Sequence, residues 1–125
     1  MNDFKTLIAV GNENWNSVFS EAFRYNGHKV HSTSEGETAL HLAQNNIYDH
    51  ILIDDSLRQM QQIEFVLNLK EVLSRPTKLI ISGDHVQKYL RVWNYCGVKI
   101  KGTRDEILKL VQSWQSCQNP NIPPA

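Results

Sequence analysis

Short runs of aliphatic residues alternate along this chain with longer segments in which apolar residues recur every three or four positions. Aliphatic runs bounded by polar residues are typical of buried strands, and the longer spacing is typical of helices with one buried face. The pattern predicts five strands, over residues 6–10, 28–31, 50–54, 78–82 and 98–101. A helix is predicted after each of them, the last one ending near Trp114.

The predicted helix starts carry capping signals. Ser34 with Glu37, and Thr103 with Glu106, have the spacing of a capping box, in which two side chains satisfy backbone N–H groups of the first turn. Asp84 is predicted to cap the helix that follows the fourth strand. These signals place the starts of the second, fourth and fifth helices.

Regular alternation of strands and helices with short connections predicts one architecture. Such connections require parallel strands with right-handed crossovers, and helices must cover both faces of the sheet. The prediction is a doubly wound α/β domain, (βα)5, in three layers. The length of 125 residues fits one domain. We assign residues 1–117 to it and residues 118–125, which are rich in proline, to a tail or the start of a linker.

Composition narrows the functional classes. Thirteen basic and thirteen acidic residues cancel, so the charge balance predicts no general attraction to nucleic acid or to an anionic membrane. Cys96 and Cys117 are too few for a disulfide framework, which favours reduced thiols. The first residues lack the pattern of a signal peptide, and no apolar stretch has the length of a membrane span. A cytoplasmic location is expected.

Three chemically distinct side chains stand at the ends of three predicted strands. Asp54 follows the third strand, Ser82 the fourth and Lys101 the fifth. Parallel strands bring their carboxyl ends to one edge, where open α/β sheets bind ligands. A carboxylate, a hydroxyl and an ammonium are the groups that phosphoryl transfer onto a carboxylate requires: a nucleophile, a hydrogen-bond donor and a positive charge. Asp55 is expected to face away from this crevice.

Several residues along the chain resemble the pattern of one protein family. They are Ile51, Leu52 and Ile53 before Asp54, Met60 and Glu64 after it, Gly36, Ala39 and Leu40 in the second predicted helix, Ser82 with Gly83, and Lys101. Over residues 5–114 the chain is similar to the receiver domain of bacterial two-component response regulators, the CheY-like family. The resemblance implies a flavodoxin-like sandwich with strand order 2-1-3-4-5. It also implies that Asp54 is the phosphoacceptor, Ser82 the switch hydroxyl and Lys101 the phosphate-contacting base.

The chain departs from this family at the metal site. The family follows its first strand with two adjacent acids that hold magnesium, and here that place is Val10-Gly11 or Gly11-Asn12. Glu13 is the only acid nearby. Mg²⁺ is usually held by carboxylates together with waters and phosphate oxygens in near-octahedral geometry. With only Glu13 and Asp54 available, a weak or absent Mg²⁺ site is expected.

The leading hypothesis is a signal-transduction receiver without enzymatic activity, in which phosphorylation at Asp54 is impaired. It would act through contacts with another protein, which could be a histidine kinase, a phosphotransfer protein or an output domain. A homodimer is also possible under this hypothesis. Direct binding to nucleic acid or to a membrane is not expected. The expected interaction face comprises Tyr89, Trp93, Val98 and Trp114. One alternative is a conventional phosphorylated receiver that uses Glu13 for Mg²⁺. An alternative of another class is a flavodoxin-like domain that binds a small molecule.

Overall fold

The computed structural model describes residues 4–118, and the side chains of residues 4–114. Its strands are β1 (Lys5–Ala9), β2 (Lys29–Thr33), β3 (His50–Asp54), β4 (Lys78–Ser82) and β5 (Ile100–Gly102). Its α-helices are α1 (Glu13–Tyr25), α2 (Gly36–Asn45), α3 (Gln62–Val72), α4 (Leu90–Tyr95) and α5 (Arg104–Gln118), and a 3₁₀ turn over Val86–Tyr89 precedes α4. The predicted tail lies, apart from Gln118, outside the described residues.

The five strands form one parallel sheet in the order β2-β1-β3-β4-β5. This confirms the predicted (βα)5 alternation and the strand order 2-1-3-4-5. In the centre, all five residues of β3 are buried, which agrees with a strand that is covered on both faces. Among the described helices, none combines the length and the apolar character needed to cross a bilayer.

Each face of the sheet packs against its own set of helices. One core contains residues of α2, α3 and α4, including Ala39, Phe65 and Trp93. The other contains residues of α1 and α5, including Phe23 and Val111. The molecule is therefore a three-layer sandwich, and the two cores fix the strand ends from both sides.

The capping box at the start of α5 is confirmed. The backbone N–H of Thr103 donates to Oε1 of Glu106 at 2.9 Å, and the backbone N–H of Glu106 donates to Oγ1 of Thr103 at 3.2 Å. These bonds fix the first turn of α5, in which Arg104 is the first residue.

The capping box predicted at Ser34 is wrong. The residue before α2 is Glu35, whose side chain makes no capping bond. The segment is held instead by backbone pairing with a distant loop: Arg58 N–H donates to Ser34 O at 3.0 Å, and Gly36 N–H donates to Arg58 O at 2.8 Å. A tertiary contact here takes the place of the local cap.

The cap predicted at Asp84 is also wrong. The fourth helical segment begins with the 3₁₀ turn, and α4 itself has six residues. The backbone N–H of Asp84 donates to Oδ2 of Asp55 at 2.8 Å, while Gly83 before it has a φ of +138°. The chain after β4 is therefore turned toward the end of β3 and does not enter a capped helix directly.

Candidate functional site

Asp54 ends β3 at the carboxyl edge of the sheet. The pairing register places it beside Ser82 of β4, and Ser82 beside Gly102 of β5. The Asp54 carboxylate has no exposed surface. A buried carboxylate needs partners for its charge and its oxygen lone pairs, so the neighbours of Asp54 determine what it can do.

Five hydrogen bonds end on the Asp54 carboxylate. Oδ1 accepts from Ser82 Oγ at 2.7 Å and from Arg104 Nε at 3.0 Å. Oδ2 accepts from the Ser56 backbone N–H at 3.0 Å, from Ser56 Oγ at 2.5 Å and from Arg104 Nη2 at 2.9 Å. A carboxylate offers about four lone-pair sites, so these donors saturate it.

Arg104 supplies the positive charge for this carboxylate. Its two bonds to Asp54 form the bidentate pairing that a planar guanidinium makes with a carboxylate. The same Nη2 lies 3.3 Å from Oδ1 of Asp55, and the guanidinium carbon lies 6.0 Å from the centre of the Trp15 ring. The Arg104 side chain is 22% exposed, so it covers Asp54 from the solvent side.

The pKa values of the pair shift in opposite directions. Burial acts to raise the pKa of Asp54, but hydrogen bonds from Arg104, Ser56 and Ser82 outweigh it and hold the pKa below its usual value. The hydrogen bond to Asp54 raises the pKa of Arg104. Both groups are therefore ionised at neutral pH.

Lys101 lies outside this hydrogen-bond network. Its register partner in β4 is Ile81, one position before Ser82, so its side chain belongs to the opposite face of the pleated sheet. Within residues 4–114, it makes no ion pair with Asp54. The prediction that Lys101 joins Asp54 in the crevice is corrected: the cation in the crevice is Arg104.

The sequence contains one signal for Arg104 that the predictions did not use. A cation in the first turn of a helix is disfavoured by the helix dipole, whereas Asp or Glu is favoured there. Arg104 occupies the first position of α5, and one residue separates it from the end of β5. An arginine in that place indicates a nearby anion, and Asp54 ends β3 at the same edge of the sheet.

Gln62 is a second residue that the sequence did not single out. Its side chain is buried at the start of α3, and its Nε2 donates to the backbone carbonyls of Ile53 at 2.7 Å and Ser82 at 2.9 Å. The amide thus joins α3 to the ends of β3 and β4. It fixes the backbone on which both Asp54 and Ser82 stand.

Asp55 does not face away as expected. It lies beyond the last residue of β3, where the alternation of strand side chains no longer applies. Its carboxylate accepts hydrogen bonds from Asp84 N–H at 2.8 Å and Arg104 Nη2 at 3.3 Å. Gly83 lies beside this carboxylate with a φ of +138°, a conformation that favours glycine, and a Cβ there would lie 2.3 Å from the carboxyl group.

The loop after β1, residues 10–13, carries a single acid, Glu13. A Cβ at Gly11 would lie 1.9 Å from the carbonyl oxygen of Ser56, so an acid cannot stand there without a shift of the loop. Asn12 caps α1 by accepting from Trp15 N–H at 3.0 Å, and Glu13 is exposed at the start of that helix. Residues 4–114 contain no group of three metal-ligating side chains. Both oxygens of Asp54 accept hydrogen bonds from Arg104, so a Mg²⁺ ion would have to displace the guanidinium to reach this carboxylate.

The four aromatic and aliphatic residues expected on an interaction face are mostly internal. Trp93 has no exposed surface, and its indole N–H donates to the Val86 carbonyl at 3.0 Å. Val98 is also buried. Trp114 is half-buried and packs against other aromatic rings at the opposite edge of the sheet, and Tyr89 is half-buried. Trp93 and Val98 are corrected to core residues.

Comparison with solved structures gives the fold class. The chain is similar to a CheY-like response regulator receiver domain from Methanospirillum hungatei JF-1, with a TM-score of 0.76 and 15% identity, covering 94% of this chain and 97% of the other. It is also similar to the chemotaxis protein CheY4 of Vibrio cholerae, with a TM-score of 0.74 and 19% identity, covering 89% and 98%. The fold is that of CheY-like receiver domains.

A third similar structure carries a metal. It is the receiver domain of the sensor histidine kinase PA1611 from Pseudomonas aeruginosa PAO1, with magnesium coordinated in its active-site cleft; its TM-score is 0.64 at 19% identity, covering 92% of this chain and 99% of that one. No family model matches the sequence. No curated protein matches it either. At these identities the likeness establishes the fold.

Proposed function

We propose that this chain is a receiver-type signalling module, without enzymatic activity, in which an internal cation has replaced the phosphorylation chemistry. The observation that carries the proposal is the bidentate contact of Arg104 with both oxygens of the buried Asp54 carboxylate. A carboxylate that attacks a phosphorus atom needs a free lone pair, and the Asp54 oxygens have none. Phosphoryl transfer would first require Arg104 to leave a fully buried anion.

The proposed mode of action is contact with other proteins. The receiver fold and the site at its carboxyl edge support a role in two-component signalling, with a histidine kinase, a phosphotransfer protein or an output domain as partner. The Arg104–Asp54 pair holds α5 to β3 and, through Ser82, to β4. In this proposal it keeps these elements in one arrangement, so partner binding does not depend on phosphate.

The alternative that Glu13 holds Mg²⁺ in a conventional receiver finds less support. Glu13 is exposed at the start of α1, and the loop before it is closely packed against Ser56 at Gly11. Neither feature frees an oxygen of Asp54. We therefore keep the phosphate-independent module as the proposed function.

The test is phosphorylation followed by intact mass spectrometry. The chain and its Asp54→Asn variant are incubated with millimolar Mg²⁺ and acetyl phosphate. The expected result is that neither protein gains a phosphoryl group. Stoichiometric phosphorylation of the unmodified chain that is absent from Asp54→Asn would overturn the proposal and favour the conventional receiver.

A further inference from the structure

A cavity lies at the opposite edge of the sheet from Asp54. Its volume is about 650 Å³, and it opens where β3, β4 and β5 begin. This volume is in the range of sites that bind small molecules. Its lining includes Phe4, His50, Lys78, Leu79, Lys99 and Ile100.

The walls of this cavity are largely apolar and partly aromatic. Leu79 and Ile100 contribute aliphatic surface from β4 and β5. The rings of Phe4 and His50 meet edge to face, with centroids 6.2 Å apart and planes at 70°. Flat rings arranged in this way favour a planar aromatic guest, because aromatic pairs prefer edge-to-face or offset stacking.

His50 forms the most deeply buried polar part of the lining. The residue is 8% exposed, and its Nδ1 is buried without a hydrogen-bond partner among the described residues. Its ring packs against His28 and Trp114, each at 5.4 Å between centroids. An unpaired buried polar atom costs about 1–3 kcal/mol, so a guest that formed a hydrogen bond with this nitrogen would recover part of that cost.

The charges around the cavity favour an anion. Lys78 and Lys99 are exposed in its lining, and within residues 4–114 neither forms an ion pair. Asp49 also lines the cavity, but its Oδ2 already accepts the backbone N–H of Lys5 at 2.8 Å. The two lysines outnumber the single carboxylate of Asp49, so positive charge is in excess beside the apolar walls.

We infer that this cavity binds a small aromatic carboxylate, with its ring against Phe4 and His50 and its carboxylate toward Lys78 and Lys99. The inference concerns a different edge of the sheet from the proposed function and does not depend on it. β3 joins the two sites, since His50 is its first residue and Asp54 its last.

The test uses 2-naphthoate as the probe and 2-naphthamide, which has nearly the same shape without the charge, as its control. Binding to the full chain is followed by NMR of the His50 and Phe4 ring signals. We expect 2-naphthoate to shift both sets of signals saturably. In Lys78→Gln/Lys99→Gln its affinity is expected to fall about five- to tenfold, because two exposed charge pairs are lost. Lys109→Gln, which removes an exposed lysine of α5, is the matched control and should bind as the parent does.

Three results would each overturn the inference. The first is the absence of His50 and Phe4 shifts at millimolar 2-naphthoate. The second is equal affinity for 2-naphthamide, and the third is an undiminished affinity in the double lysine variant. Both lysines are exposed, so the variants should keep the unfolding midpoint of the parent, and that midpoint is measured to verify that they fold.

Discussion

Arg104 and Asp54 are fifty positions apart in the chain and meet through two parallel hydrogen bonds, from Nε to Oδ1 at 3.0 Å and from Nη2 to Oδ2 at 2.9 Å. One partner has no exposed surface and the other is 22% exposed. The pair closes the carboxyl edge of the sheet with a cation that belongs to the protein itself. In the proposed function, this pair holds the carboxylate as a hydrogen-bond acceptor and keeps it from acting as a nucleophile.

Removal of the cation is expected to destabilise the fold. Arg104→Ala leaves the Asp54 charge buried with only neutral donors, and breaking such a pair costs about 3–5 kcal/mol. Because Arg104 is partly exposed, water can enter the gap, so we expect the lower end of that range. Urea unfolding at neutral pH measures the loss.

A double-mutant cycle separates the pair from other effects. Asp54→Asn in the Arg104→Ala background removes the uncompensated charge, so it should recover about half or more of the lost stability. If Arg104→Ala and Asp54→Asn were simply additive, the two residues would not be coupled, and the role given to Arg104 would be contradicted.

The Gln62 amide is expected to stabilise the ends of β3 and β4. Gln62→Ala leaves the carbonyls of Ile53 and Ser82 without this donor, which should cost about 1–3 kcal/mol of unfolding free energy. Gln61→Ala, next to it, changes an exposed residue without a capping bond and serves as the control. Equal effects of the two variants on the urea midpoint would show that the buried amide contributes nothing.

Stability should depend on pH through His50. Burial, together with His28 and Lys78, lowers the pKa of His50 from 6.5 to about 4, against a raising effect of Asp49. The unfolded chain takes up a proton near its ordinary pKa, whereas the folded chain does not until about pH 4. The contribution of neutral His50 to the free energy of unfolding is therefore fully present above pH 6.5. It is lost progressively as the pH falls toward 4, by about 3 kcal/mol in total. His28, whose pKa burial also lowers, adds to the same loss.

The corresponding variant is His50→Phe, which keeps a ring between its aromatic neighbours and cannot take up a proton. Urea unfolding at about pH 7.5 and about pH 5 should show a loss for the parent that exceeds the loss for His50→Phe by about 2 kcal/mol. His41→Gln changes an exposed histidine of α2 and should behave as the parent. An unchanged pH dependence in His50→Phe would refute the assignment.

Trp15 offers an optical test of the metal site. Its ring lies beside Arg104, so an ion that displaced the guanidinium from Asp54 would change the surroundings of the indole. The difference in fluorescence between the parent and Trp15→Phe gives the emission of Trp15. Millimolar Mg²⁺ is expected to leave that emission unaltered. A saturable quenching that is lost in Glu13→Ala would support the alternative in which Glu13 holds magnesium.

The fold could be predicted because its signals are local and repeated. Five aliphatic runs separated by amphipathic segments allow few topologies, and the structure has the predicted alternation. Details that depend on tertiary contacts were missed. Ser34 pairs through its backbone with Arg58. β2 begins at Lys29, since the backbone N–H of His28 donates to the carbonyl of Phe23 in α1 at 3.1 Å.

The candidate site was predictable only in part. Asp54 and Ser82 end neighbouring strands in the same register row, so the sequence pattern was sufficient to bring them together. The sequence pattern predicts Lys101 in that row, but Gly102 occupies it. A shift of one residue places a strand side chain on the opposite face of the sheet. Arg104 reaches the site from a helix, and strand alternation contains no information about it.

The most direct measurement is NMR of the Arg104 side chain in the intact protein, with and without millimolar Mg²⁺ and acetyl phosphate. If Arg104 holds Asp54 as described, its Nε–H signal is protected from solvent exchange, disappears in Arg104→Lys, and keeps its position when both additions are made. A signal that loses protection or shifts saturably on those additions, while Asp54→Asn shows no such response, would contradict the claim that this arginine has replaced the metal and the phosphate.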